Sequence, residues 1–269
     1  MRSGTERKRP NGTGIPVEAV GAGIRAPFTI GKMPYGETDA VTKVPTAEEL
    51  EALFQDGKMA RIGDGSRRVC YALPGGKLCV KSYRSEEELE SRMRSDGSIE
   101  RHPLKQSVVD EIRKSRFDEK RNTSCREYRY WMELKERIPS GLLDAFPKTM
   151  EMVCVPSRGW CLVEELIENF DGTPIEKFFP AWRDACEDGR KRLSAALDDF
   201  EDFLVRHCVR FFDPQTIMVQ RIHEGFRLRI PDFEPVTRTL IPFDAILPAL
   251  VRRKIRRRFA RYRKTWGIT

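Results

Sequence analysis

Ile62-Gly63-Asp64-Gly65-Ser66-Arg67-Arg68-Val69-Cys70-Tyr71, followed by Leu78-Cys79-Val80-Lys81, is the stretch on which the reading of this chain turns. Two apolar strand-like runs flank a glycine-containing loop, and a lysine closes a third. Glycines let backbone N–H groups approach a phosphate closely, and a lysine on the neighbouring strand adds a fixed positive charge. Gly63 and Gly65 are therefore candidate phosphate-loop residues and Lys81 a candidate phosphate ligand. An ordinary β-turn explains the glycines equally well, because the third glycine of a G-x-G-x-x-G pattern falls on Arg68.

Working outward, Thr46-Ala47-Glu48-Glu49 forms a capping box that opens a short helix. Strands are expected at 59–62, 68–73 and 78–83, the last two joined by Pro74-Gly75-Gly76-Lys77. Residues 84–122 are dominated by charge and predict a solvated, partly helical insertion. A helix over 124–138, with Ser124 as N-cap, places Glu127, Trp131, Leu134 and Ile138 on one face. Strands at 149–155 and 160–167 follow, then a break at Asn169-Phe170-Asp171-Gly172-Thr173-Pro174. A long helix over 187–206 carries an apolar stripe, strands at 216–222 and 226–230 flank His223-Glu224-Gly225, and a last helix fills much of 243–265.

This order predicts an α+β chain with a two-lobed protein-kinase-like fold and a reduced C-terminal lobe. A mobile extension would cover 1–45, an N-lobe 46–168 with the charged insertion 84–122, and the reduced C-lobe 169–269. In that frame Glu127 is the partner of Lys81, since a carboxylate on a core-facing stripe is costly unless paired. The local alternative is that Glu127 closes a second capping box, Ser124-Cys125-Arg126-Glu127. Asp232, in Ile230-Pro231-Asp232-Phe233, occupies the place of a metal-binding aspartate.

The catalytic loop departs from an active pattern. In Phe211-Phe212-Asp213-Pro214-Gln215-Thr216-Ile217-Met218, the general base position is Phe211 and the second metal position is Thr216. Phe cannot accept a proton, and a threonine hydroxyl is a poorer Mg²⁺ ligand than an amide oxygen. Asp213 is the one nearby carboxylate that could act as a relocated base. Thirty-seven residues follow Asp232, too few for a peptide-binding platform of the protein-kinase kind, so a protein substrate is disfavoured.

The pattern resembles the YrbL family, proteins of the PhoP regulatory network with a protein-kinase-like fold. The resemblance spans about 59–265 and is carried by Ile62-Gly63-x-Gly65 with Cys70-Tyr71, Cys79-Val80-Lys81, Arg126-Glu127-x-x-Tyr130, Phe170-Asp171-Gly172-x-Pro174, Pro214-Gln215-x-Ile217 and Leu240-Ile241-Pro242. It implies a bacterial, cytoplasmic regulatory protein with a reduced kinase-like domain. Where that family has Lys-Pro-Gln-Asn-Ile-Leu, this chain reads Asp213-Pro-Gln-Thr-Ile-Met218. The expectation is a nucleotide-binding regulator with little or no phosphotransferase activity, taking ATP and Mg²⁺ weakly, with a regulatory protein as partner. The alternatives are a small-molecule phosphotransferase using Asp213, or a scaffold that binds nucleic acid or acidic lipid.

That last alternative rests on charge. Of the 49 basic residues, nine lie between positions 251 and 264 without an acid among them, so the rest of the chain carries 40 bases against 41 acids. Arg252, Arg253, Lys254, Arg256, Arg257, Arg258, Arg261, Arg263 and Lys264 are interleaved with an apolar stripe of Leu247, Val251, Ile255, Phe259, Tyr262 and Trp266. Such a helix either docks with its basic face solvated and partly neutralised by the body, or recruits a polyanion. The seven cysteines show no metal-ligand spacing; those in strand-like runs (Cys70, Cys79, Cys154, Cys161) are expected to be buried thiols, implying the cytoplasm. The N-terminus lacks a secretory h-region, and no run approaches the roughly 18 apolar residues of a membrane span.

Overall fold

The computed structural model describes residues 43–65, 67–94, 104–233 and 247–268. Most of the expected N-terminal extension, the centre of the charged insertion and the Leu240-Ile241-Pro242 block lie outside the described residues. The elements mix helix and sheet in an α+β arrangement.

Helix α1 (Ala47–Asp56) starts at the expected capping box: Thr46 Oγ1 accepts from Glu49 N, and Glu49 Oε2 accepts from Thr46 N at 2.8 Å. Strands β1 (Ala60–Asp64), β2 (Arg68–Ala72), β3 (Leu78–Tyr83), β4 (Thr149–Val155) and β5 (Gly159–Glu165) build an antiparallel sheet in the order β1-β2-β3-β5-β4. Because side chains alternate along a strand, this sheet has two chemically different faces. Val69, Tyr71, Leu78, Val80, Cys161 and Val163 pack on one face with Leu50 of α1. Arg68, Cys70, Cys79, Lys81, Leu162 and Glu164 share the other, because Cys70 and Leu162 lie opposite Lys81 and Glu164 lies opposite Cys79.

Helix α4 (Thr123–Arg137) lies between β3 and β4 in sequence and packs on β4 and β5. Its N-cap is Asn122 rather than the expected Ser124: Asn122 Oδ1 accepts from Ser124 N at 2.8 Å and from Cys125 N at 3.2 Å. Asn122 also donates to Arg116 O at 2.9 Å. Gly159 is required here, since a Cβ at its φ of +77° would sit 2.1 Å from Arg116 O.

The insertion is more ordered than its charge suggests. It holds α2 (Glu86–Arg94) and α3 (Gln106–Ser115), and Leu89, Val109 and Ile112 pack with Tyr83 in a small core of their own. Met93, Leu104 and Val108 pack beside them, so a few apolar positions dock a segment rich in charge.

The second half contains the expected helix α6 (Glu187–Arg206), the short α5 (Phe178–Asp184) and a three-stranded sheet of β6 (Glu176–Lys177), β7 (Met218–Ile222) and β8 (Gly225–Arg229). Helix α7 (Pro248–Trp266) docks on α6. Val251, Ile255, Phe259 and Tyr262 enter the core, whereas Leu247 and Trp266, the ends of the expected stripe, are 47% and 39% exposed. The segment Asn169–Pro174 is a tight turn: Asn169 N donates to Thr173 O at 2.9 Å, and Phe170 N to Arg221 O at 3.0 Å. All seven cysteines are free thiols; Cys79, Cys125 and Cys161 are buried, but, contrary to expectation, Cys70 is only half-buried and Cys154, on edge strand β4, is exposed.

Candidate functional site

The polar face of the sheet, the start of α4 and the segment after β8 meet around Lys81. This lysine is buried because β3 is central and every one of its residues is covered. Its ammonium lies 2.9 Å from Glu127 Oε1 and 2.8 Å from Glu164 Oε1, and donates to Pro231 O at 2.5 Å. An ammonium has three protons, and these three acceptors use them all. Burial pulls the Lys81 pKa down, but Glu127 and Glu164 outweigh it and hold the group above its ordinary value.

Glu127 is fully buried one turn into α4. Its carboxylate does not close a capping box. Oε1 takes Lys81, and Oε2 takes Arg68 Nη1 at 2.7 Å. Arg68, on the first position of β2, reaches inward past the hairpin tip. Nη1 also donates to Ser124 Oγ at 3.3 Å, and Nη2 donates to Asp232 Oδ1 at 3.1 Å. Asp232 is held in reach by its neighbour: Phe233 is buried against Phe146 and Trp131, with ring centroids 5.1 and 6.1 Å away.

Gly63 lies within β1, opposite Cys70, and Gly65 at the β1–β2 connection. Gly65 N donates to Arg68 O at 2.9 Å and closes the hairpin tip, so this N–H is already used within the turn. From below, the fully buried Arg84 donates to Asp64 and to Gly65 O. Asp213 and Thr216 are used within one local turn: Asp213 Oδ1 accepts from Gln215 N at 3.3 Å, and Thr216 Oγ1 donates to Asp213 O at 2.9 Å around the 3-10 turn Pro214–Thr216. Phe211 is buried in the helical core. Among the described residues no three His, Cys, Asp or Glu side chains gather as a metal site.

The structure therefore joins Lys81, Glu127 and Asp232 into one network, and keeps Asp213 and Thr216 in a separate turn. As the side chains stand, several groups that a Mg²⁺–nucleotide would use are engaged within the protein: the Lys81 protons are taken and one oxygen of the part-exposed Asp232 accepts from Arg68.

Two members of the network escaped the sequence reading. Arg68 was legible only as the residue at the third glycine position of the loop. Glu164 carried a signal, an acid ending the apolar run Cys161-Leu162-Val163, but its partner depends on register. Burial pushes the Glu164 carboxyl up to about 7 against the pull of Lys81, and its Oε2 has no hydrogen-bond partner. No family model matches the chain, and no curated protein matches it either. No helix among the described residues is long and apolar enough to cross a membrane.

Proposed function

We propose that this chain is a kinase-like, YrbL-like regulatory protein with little or no phosphotransferase activity, in which the protein's own Arg68 fills the place a metal–nucleotide would need. One observation carries the reading: Arg68 stands between Glu127 and Asp232, bonded to both. The antiparallel β1-β2-β3-β5-β4 sheet with α4 beside it, and the 2.9 Å Lys81–Glu127 pair, support the kinase-like frame. The burial of Phe211 where a general base is needed supports inactivity, since such a base contributes ~10²–10⁴-fold.

Nucleotide binding in this reading is weak, in the high micromolar range or poorer, roughly −5 kcal/mol. A thermal-shift titration with ATP, with and without Mg²⁺, tests it. The expected outcome is a small shift at millimolar nucleotide only. Stabilisation of about 2.7 kcal/mol at micromolar ATP, the linkage signature of a ligand near 100 Kd, would refute an occluded site.

A further inference from the structure

Helix α7 turns one face into the core and leaves the opposite face, with Arg253, Arg256, Arg257, Arg261 and Lys264, exposed; Arg252 and Arg258, also exposed, flank the buried stripe. The body neutralises only the inner edge of this helix. Arg263 is bound by Asp198 Oδ1 and Glu201 Oε2, each at 2.5 Å, and Lys254 lies 3.8 Å over the Phe212 ring. None of the five outer cations has an acidic partner among the described residues. Arg253, Arg257 and Arg261 repeat at i, i+4, where like charges destabilise a helix. This repulsion serves no contact within the fold, so an external anion is the natural counterpart.

The chemistry of the face selects among polyanions. A helix that lies in a bilayer surface needs an apolar face for the acyl chains; here Val251, Ile255, Phe259 and Tyr262 are at most 5% exposed and already committed to the core. Single strands are held by stacking bases on aromatic side chains, and the outer face has none; the nearest candidate, Trp266, stacks on Phe179 at 4.1 Å. No Asn or Gln stands on the helix to read adenine edges. What remains is a straight row of cations about 16 Å long at ~1.5 Å rise per residue. Four of the five are arginines, whose planar fork matches phosphate oxygens.

We propose that the outer face of α7 binds the phosphate backbone of a nucleic-acid duplex without reading its sequence. This site is separate from the Lys81 network and stands or falls independently of the kinase-like reading.

The test is fluorescence anisotropy of the full chain with a short labelled DNA duplex of mixed sequence, against a single strand and phosphatidylserine vesicles. Wild type should bind the duplex, and affinity should fall by roughly two to three orders of magnitude between about 50 and 200 mM salt, as for about five phosphate contacts. Arg253→Glu/Arg257→Glu/Arg261→Glu should weaken binding at least about 100-fold and flatten the logarithmic salt slope by about three. The milder Arg253→Gln/Arg257→Gln/Arg261→Gln should show a smaller loss with a melting midpoint no lower than wild type, since it also relieves the like-charge repulsion, separating lost charge from lost fold. Undetectable duplex binding at low salt, or binding untouched by the Gln variant, would overturn the proposal. Vesicles or single strands bound more tightly than the duplex would also overturn it.

Discussion

Arg68 Nη2 lies 3.1 Å from Asp232 Oδ1, so a side chain beside a hairpin tip holds a carboxylate 164 positions further along the chain. The same guanidinium is 2.7 Å from Glu127. One residue thus ties the glycine hairpin, α4 and the segment after β8 together. In the proposed kinase-like reading, this is the spot where a phosphate-binding site would open.

Removing that tie should expose the site. Arg68→Ala should cost about 1.5–3 kcal/mol of stability, the range for hydrogen bonds to charged groups. It should also strengthen ATP binding by about tenfold, or 1.4 kcal/mol, because Asp232 and one oxygen of Glu127 are released. Calorimetric titration of both proteins with Mg·ATP checks it. Equal or weaker binding by the variant would mean that Arg68 does not occlude a nucleotide site.

Glu127 anchors two buried cations, so its loss should be costly. Glu127→Gln keeps the shape but removes the charge facing Lys81 and Arg68, and should destabilise by about 3–5 kcal/mol. Urea denaturation measures this. A loss below about 0.5 kcal/mol, the usual range for a surface change, would contradict the network.

Glu164 predicts a pH dependence. Its carboxyl is raised from 4.5 to about 7, first by burial. The folded protein therefore holds a proton that the unfolded chain releases. This contribution is complete below pH 4.5 and is lost as pH rises through about 7. Stability should decline across that window by about 3 kcal/mol at most, and Glu164→Gln should flatten the decline. Parallel curves for wild type and variant would assign the dependence to other groups.

The turn containing Asp213 predicts catalytic silence. Asp213→Asn keeps an acceptor for Gln215 N, so fold and any nucleotide shift should be unchanged. No phosphoryl transfer from labelled ATP to small acceptors or generic proteins is expected from either protein. Robust turnover that this substitution abolished would make Asp213 a relocated base.

The docking of α7 separates its two faces. Phe259, fully buried, should cost about 3–5 kcal/mol when changed to Ala. Arg257→Ala on the exposed face should stay within about 0.5 kcal/mol. Similar effects from both, in the same denaturation assay, would mean that the helix does not pack as described.

What the amino-acid sequence determined by itself is local. The capping box at Thr46, the span of α6 from Glu187 to Arg206, the central apolar run ending in Lys81 and the amphipathic stripe of α7 all follow from patterns a few residues long. Periodicity and caps act over one or two turns, so no distant partner is needed to read them. The Lys81–Glu127 pair was legible only with the expected strand order, which supplied the cation that an acid on a core-facing stripe demands but does not itself specify. Tertiary structure decided the rest. Glu164 meets Lys81 only because the β3–β5 register sets them diagonally on one face, and a slip of one residue would turn Glu164 to the other side. Arg68 turns inward because α4 and Asp232 converge there. Asn122 won the N-cap from Ser124 because it also reaches Arg116 O and Trp160 O. Each outcome depends on groups brought together from distant parts of the chain, where propensity has no reach and burial of charge decides.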